Sequence, residues 1–324
     1  MIESLPLLAW PRAANPVLTI LIYHQVMPVP DPLRPGEACA ASFDRQMAFL
    51  ARNFSVLPLV EAVAALGDGT LPRRACCVTF DDGYADNLTV AEPILARHHL
   101  PATVFVATAY LDGGRMFNDS VIELVRRVPD AVLDLGALGL GVHPLATMQD
   151  RVRAIDALLA QLKYTEPPKR QALVTRMIEM AGCAGLPDDL MLTSRQMREL
   201  SDRGVEIGGH TDAHAVLTTL SVDAARDEIA KGKSRIEAVL GKPVRTFAYP
   251  NGRPVRDYDA AHVAVVREFG FAAAVTTAGG VSGRDSDIHQ LPRFAPWGRS
   301  TTLLAARLAR NARQGKPDAI CVAA

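Results

Sequence analysis

Thr79-Phe80-Asp81-Asp82-Gly83-Tyr84 ends the apolar run Ala75-Cys76-Cys77-Val78-Thr79-Phe80. A short apolar run closed by polar residues and a glycine reads as a buried strand with a turn behind it. Two adjacent carboxylates at a strand end repel each other and resist leaving water. A chain tolerates such a pair when a positive charge sits beside it, and a metal ion is the usual one. His210 and His214, four residues apart, are the matching nitrogen donors.

Working outward, the same kind of segment recurs. Residues 17–23, 54–59, 75–80, 102–107, 205–208, 244–249, 271–277 and 288–294 read as strands. Helical patterns fall at 43–52, with Ser42 as its cap, and at 60–66, 194–202, 258–269 and 301–311. Two more lie at 87–99, interrupted early by Pro93, and at 224–240, stopped by Gly241. Alternating short apolar strands and helices predict an α/β fold, a parallel sheet or barrel with helices outside. In such barrels the working residues lie at the C-terminal ends of the strands. Residues 110–192 break the rhythm, with helical patterns at 149–162 and 168–181 and a Leu/Gly-rich stretch at 132–142. This region reads as a mostly helical insertion over one rim, within a single domain spanning 1–324.

The chain has 324 residues, 49% of them apolar, with 35 basic and 35 acidic side chains. Zero net charge argues against nucleic acid as a partner. The five cysteines, Cys39, Cys76, Cys77, Cys183 and Cys321, show no CxxC spacing and suit a reducing compartment. Residues 1–16 lack a basic leading region and a long apolar core, so no signal peptide is read. No run approaches the ~18 apolar residues of a membrane span. The expected location is cytoplasmic, including the inner membrane surface, and oligomeric state is open.

Asp82, His210 and His214 form the expected metal triad. An HxxxH spacing on a helical turn puts both imidazoles on one face. Two histidines and one carboxylate with open positions suit Zn²⁺, with Co²⁺, Ni²⁺ or Fe²⁺ as alternatives. Such a centre holds water and lowers its pKa, to about 7 for zinc. Asp81, not needed as a ligand, is then a general base, unless it merely caps the turn. His24 leaves the first strand and is the first choice as general acid, with His289 as its rival. The turn Pro250-Asn251-Gly252 either presents N–H groups to an oxyanion or is a plain turn. Arg293 either orients Asp81 by a bidentate contact or is a surface arginine.

The motifs TFDDGY (79–84), HTDAH (210–214) and FAYPNG (247–252) resemble those of polysaccharide deacetylases of carbohydrate esterase family 4, the NodB-homology group. The resemblance covers residues 17–109 and 193–297. It implies a distorted (β/α)7-type barrel and a divalent metal, commonly zinc. It also implies Asp81 as base, Asp82, His210 and His214 as ligands, and the Asn251 N–H as oxyanion donor. Two departures stand out. Ala248 occupies the place of the arginine that usually braces the base, and Arg293 is the proposed substitute. The usual late Leu-x-x-x-His acid motif is absent. Ile22-Tyr23-His24-Gln25-Val26 instead resembles the subgroup that includes poly-N-acetylglucosamine deacetylases, which supports His24. Phe117-Asn118-Asp119 resembles a segment of some members and is expected along the substrate groove.

The expected activity is therefore metal-dependent removal of N-acetyl groups from an N-acetylated sugar in a glycan or glycan precursor. The alternatives are an O-acetyl esterase or cyclic-amide hydrolase on the same scaffold, or a catalytically silent carbohydrate-binding protein.

Overall fold

The structure is a computed structural model that describes residues 16–183, 185–296, 298, 300–315, 317 and 319–321. The expectation about a leader at the N-terminus lies almost wholly outside them. No helix among the described residues is long and apolar enough to cross a membrane.

The first half of the chain contributes β1 (Thr19–Tyr23), β2 (Val26–Met27), β3 (Ala38–Cys39), α1 (Ala40–Asn53), β4 (Ser55–Val56) and α2 (Leu59–Asp68). Then come β5 (Ala75–Phe80), α3 (Glu92–Arg97) and β6 (Thr103–Val106). The insertion holds α4 (Phe117–Arg127), β7 (Val132–Asp134), β8 (Val142–Pro144), α5 (Met148–Leu162) and α6 (Pro167–Met180). The barrel resumes with α7 (Ser194–Asp202), β9 (Glu206–Gly209), α8 (Val222–Leu240), β10 (Thr246–Ala248), α9 (Ala260–Glu268), β11 (Ala273–Val275) and α10 (Thr301–Gln314).

The main sheet runs β1-β5-β6-β9-β10-β11, with β4 beside the start of β5. All its pairings are parallel. Parallel strands need both faces covered. The side-chain period of two does this along β5. Ala75 and Cys77 pack with α2 residues Leu59, Ala62 and Val63 in one cluster, and Cys76, Val78 and Phe80 join the larger cluster beneath the other helices. Asp81 continues the Ala75–Cys77–Thr79 line.

The two edges of the sheet are joined by the segment expected as a final strand. Leu291 bridges to Val275 and Phe294 to Leu21. Backbone bonds from Leu291 to Ala274 (2.9 Å) and from Phe294 to Ile20 (2.7 Å) close the ring. The segment is two bridge points, not a continuous strand, because the Arg293 N–H turns away to the Ala278 carbonyl at 2.9 Å. The architecture is the curled, distorted α/β barrel anticipated above.

Four local expectations are corrected. Cys39, not Ser42, caps α1; Ser42 lies inside the first turn, where its hydroxyl accepts from the Cys39 N–H at 3.0 Å. Pro93 does not interrupt a helix, since it lies in the opening turn of α3, where no intrahelical N–H is required. A π-helical turn at Asn87–Ala91 precedes it. The Leu/Gly-rich stretch 132–142 begins a β7–β8 hairpin, antiparallel and outside the main sheet. His210 and His214 lie on a loop after β9, not on a helical turn. Helix α4 escaped notice because polar Asp119, Ser120 and Glu123 lie on its buried face. The insertion has a hydrophobic cluster of its own, built on Val121, Leu124, Leu158 and Met177.

Helix α8 presses on the histidine loop through Gly232. A Cβ there would lie 2.6 Å from the Thr211 carbonyl oxygen. Backbone cannot yield as a side chain can, so Gly232→Ala should destabilise the fold by roughly 1–3 kcal/mol, as overpacking does. Chemical denaturation checks this; an unchanged midpoint would show that helix and loop separate freely.

Candidate active site

The strand C-termini converge on a cleft of about 720 Å³. Its lining includes His24, Asp81, Asp82, His210, His214, Asn251 and Arg293 from the barrel. Phe117, Asn118, Ile155, Leu159 and Lys163 of the insertion form another wall.

Asp81 is buried, and its N–H donates to the Tyr23 carbonyl at 2.9 Å, tying the ends of β1 and β5 together. Its carboxylate takes both arms of the buried Arg293, each at 2.6 Å. The same guanidinium donates to the Thr276 carbonyl at 2.8 Å and to the Thr79 hydroxyl at 3.2 Å. Arg293 is thus an interior residue whose fork is matched to one carboxylate. Burial alone would raise the Asp81 pKa; the guanidinium outweighs it and holds the carboxyl below its ordinary range. Ala248 makes no such contact, since its methyl group carries no donor.

Asp82 has the opposite surroundings. Its Oδ1 is buried and has no hydrogen-bond partner. It lies 3.3 Å from Nε2 of His210 and 3.3 Å from Nε2 of His214. His210 Nδ1 is 2.7 Å from the Ala248 carbonyl, which can only accept, so that nitrogen carries the proton. That leaves His210 Nε2 to face the Asp82 carboxylate oxygen. Burial pushes the His214 pKa down to about 3 against the pull of Asp82, so this imidazole is neutral and its ring lacks one proton. Two ring nitrogens converging on an unpartnered carboxylate oxygen make a ready-made cation site. The three ligand atoms lie within 4.8 Å of one another. The donor set fits a divalent metal of the zinc type, and the second-sphere bond from His210 to a carbonyl is the usual device for aiming an imidazole at one.

The loop carrying the histidines is held from several sides. The Thr108 hydroxyl donates to Asp212 at 2.7 Å, and Lys231 pairs with the other oxygen of that carboxylate. The Ala213 N–H donates to Glu228 of α8 at 2.8 Å. These contacts support strained backbone. Asp82, Thr211, His214 and Asn251 all have positive φ, at 75°, 63°, 50° and 59°. Non-glycine residues seldom adopt that region, and clusters of such strain mark functional sites. The Asn251 N–H donates to none of the described residues, and Asn251 lines the cleft.

His24 is half-buried on the cleft wall. Burial opposes its charge, but the carboxylates of Asp82, Glu37 and Asp81 outweigh burial and raise its pKa above the ordinary imidazole value. A divalent cation on Asp82 would more than cancel the first of these pulls. His289 lies elsewhere. Its Nε2 is 2.8 Å from the carbonyl of Phe271, before β11 begins and so at the opposite mouth of the barrel. Glu37 was not anticipated, since a lone acid in a Pro/Gly-rich stretch carries no sequence signal. Asp119 does not face the groove as expected of its segment. It is buried, held by Arg34 at 2.9 Å and Tyr84 at 3.1 Å, while Phe117 and Asn118 line the cleft.

Comparison with known proteins agrees with this geometry. The family model described as polysaccharide deacetylase matches residues 68–274. YxkH of Bacillus subtilis strain 168, a candidate polysaccharide deacetylase by name, is 23% identical over 288 residues, covering 88% of this chain and 74% of that protein. Among solved structures, the Streptococcus pyogenes deacetylase PplD in complex with acetate superposes with a TM-score of 0.60 at 20% identity, covering 92% of this chain and 99% of that one. A de-N-acetylase from Aggregatibacter actinomycetemcomitans superposes with a TM-score of 0.55 at 17% identity, covering 86% of this chain and 94% of that one. With the family model spanning more than half of its length, the chain belongs to the polysaccharide deacetylase family.

Proposed function

We propose that this chain is a divalent-metal-dependent N-deacetylase acting on an N-acetylated sugar in a glycan or glycan precursor. One observation carries the reading: two adjacent buried carboxylates have opposite surroundings. Asp81 is locked by a guanidinium, and Asp82 turns an oxygen without a hydrogen-bond partner toward two imidazole nitrogens. That asymmetry suits a base beside a ligand. The amide choice rests further on the printed name of the de-N-acetylase relative.

Asp82, His210 and His214 would hold the metal, most simply Zn²⁺, which when bound supplies a Lewis acid and an acidified water. Asp81, kept ionised and immobile by Arg293, accepts the proton that the attacking water loses. The Asn251 N–H donates to the oxyanion that develops on the acetyl carbonyl. His24, in its protonated form, gives a proton to the departing amine so that the C–N bond can break. Acetate and the free amino sugar result.

Asp81→Asn should cut turnover by roughly 10²–10⁴, the worth of a general base, while keeping metal. His210→Ala should lose metal and activity together. Acetate release and metal content measured side by side test this; wild-type turnover in either variant sinks the assignment.

The acid role has a pH signature. A protonated His24 is required, so activity should fall as pH rises through the pKa that His24 has in the loaded site. Replacing Glu37 by Gln removes one stabilising anion, so the alkaline limb of kcat/KM should move to lower pH. A limb that stays in place would take the acid role away from His24.

A further inference from the structure

His24 and Gln25 lie between β1 and β2 and belong to neither strand. Their backbone is held by side chains instead. The His24 carbonyl accepts from Asn87 Nδ2 at 2.9 Å, and the Gln25 N–H donates to Glu37 at 3.2 Å. The next N–H, of Val26, donates to Asp86 at 3.2 Å. The place of the His24 imidazole therefore depends on side-chain anchors from other parts of the chain.

The Gln25 side chain adds an anchor of longer reach. Its Oε1 accepts from Nη1 of Arg34. The same nitrogen donates to Asp119 at 2.9 Å, and Nη2 donates to Glu123 at 3.3 Å. Asp119 and Glu123 stand on α4, the helix whose first residues, Phe117 and Asn118, line the cleft. The second oxygen of Asp119 accepts from the Tyr84 hydroxyl at 3.1 Å, two residues beyond Asp82. Gln25, Arg34, Asp119 and Glu123 are each less than a tenth exposed. One guanidinium thus ties the turn that carries His24 to the insertion, and through Asp119 to the strand end that carries Asp81 and Asp82. A buried ionic network of this kind adds little stability over apolar packing, but it fixes geometry.

We infer that Arg34 is a positioning residue for the proposed acid: through Gln25 it fixes His24 against insertion helix α4. The insertion then sets the place of the acid as well as walling the cleft. A planar guanidinium can bond Gln25, Asp119 and Glu123 at once, which a lysine ammonium on its flexible stem does not reproduce. The inference rests on the deacetylase reading with His24 as acid. A general acid works only within hydrogen-bond reach of its target, and a misplacement of about 1 Å can cost on the order of 10²-fold in rate.

The test compares variants of the full, metal-loaded chain on the best N-acetyl sugar that an acetate-release screen finds for the wild type. Gln25→Met cuts the link without stranding a charge, because Arg34 keeps both its carboxylates. Arg34→Lys keeps the charge and loses the fork. Each should lower kcat about tenfold or more, with KM little changed and metal content as in the wild type. Gln25→Glu returns an acceptor to the guanidinium and should recover most of the loss. p-Nitrophenyl acetate has a leaving group that departs without a proton, so Gln25→Met should affect its cleavage far less than that of the amide, and His24→Ala should show the same selectivity. An unchanged kcat in both Gln25→Met and Arg34→Lys overturns the inference. A rise in KM alone also overturns it, since Arg34 would then be a substrate ligand. Equal losses on amide and ester, or no recovery in Gln25→Glu, would mark general damage and overturn it as well. Wild-type protein that releases no acetate from any N-acetyl sugar overturns the deacetylase reading and the positioning role together, whereas wild-type turnover with unaffected variants overturns the positioning role alone.

Discussion

The bidentate contact between Arg293 and Asp81 is the constraint on which the rest of the site depends. The pair lies in the interior, 212 positions apart in sequence. Removing either partner would strand a buried charge, at a cost of about 3–5 kcal/mol. The segment that carries Arg293 is also the one that joins the two sheet edges, through Leu291 and Phe294. Barrel closure and the electrostatic setting of the proposed base are therefore one event. Closure buries Asp81 and supplies, in the same step, the guanidinium that offsets that burial and fixes the carboxylate in place.

Around that contact, the ends of β5, β9 and β10 carry backbone in left-handed conformations at Asp82, Thr211, His214 and Asn251. The strain is sustained by what surrounds it. Gly232 lets α8 lie directly on the Thr211 backbone, and Asp212 and Ala213 are held by Thr108, Lys231 and Glu228. The proposed metal ligands are thus set by packing before any ion arrives, which reduces the reorganisation a cation would have to drive.

Much of this was legible from the residues because each motif stands at the end of an apolar run. The alternation of runs revealed the barrel, and the acid pair with two histidines pointed to three side chains that the fold does bring together. Arg293 could be suggested from its place at a strand end, but its burial and fork geometry could not, because its partner is so remote in sequence. The HxxxH spacing was misassigned to a helix: a separation of four fits a helical turn, yet Thr211 and His214 take positive φ and turn the chain as a loop. Helix α4 was missed because it is buried nearly all round, with Asp119, Ser120 and Glu123 interleaved among Val121, Ile122, Leu124 and Val125. Local periodicity reports burial of apolar groups, and it is silent where a buried network of charges does the packing.

The order in which these groups leave the ribosome adds a consequence. Asp82, His210 and His214 are all made before Arg293, which is 79 residues beyond His214. A growing chain therefore possesses its full set of proposed ligands while its proposed base still lacks a guanidinium partner. Without Arg293, Asp81 is an ordinary carboxylate in water, ionised but not oriented. On the proposed reading, hydrolytic competence therefore waits for the last barrel segment to dock and fix that carboxylate.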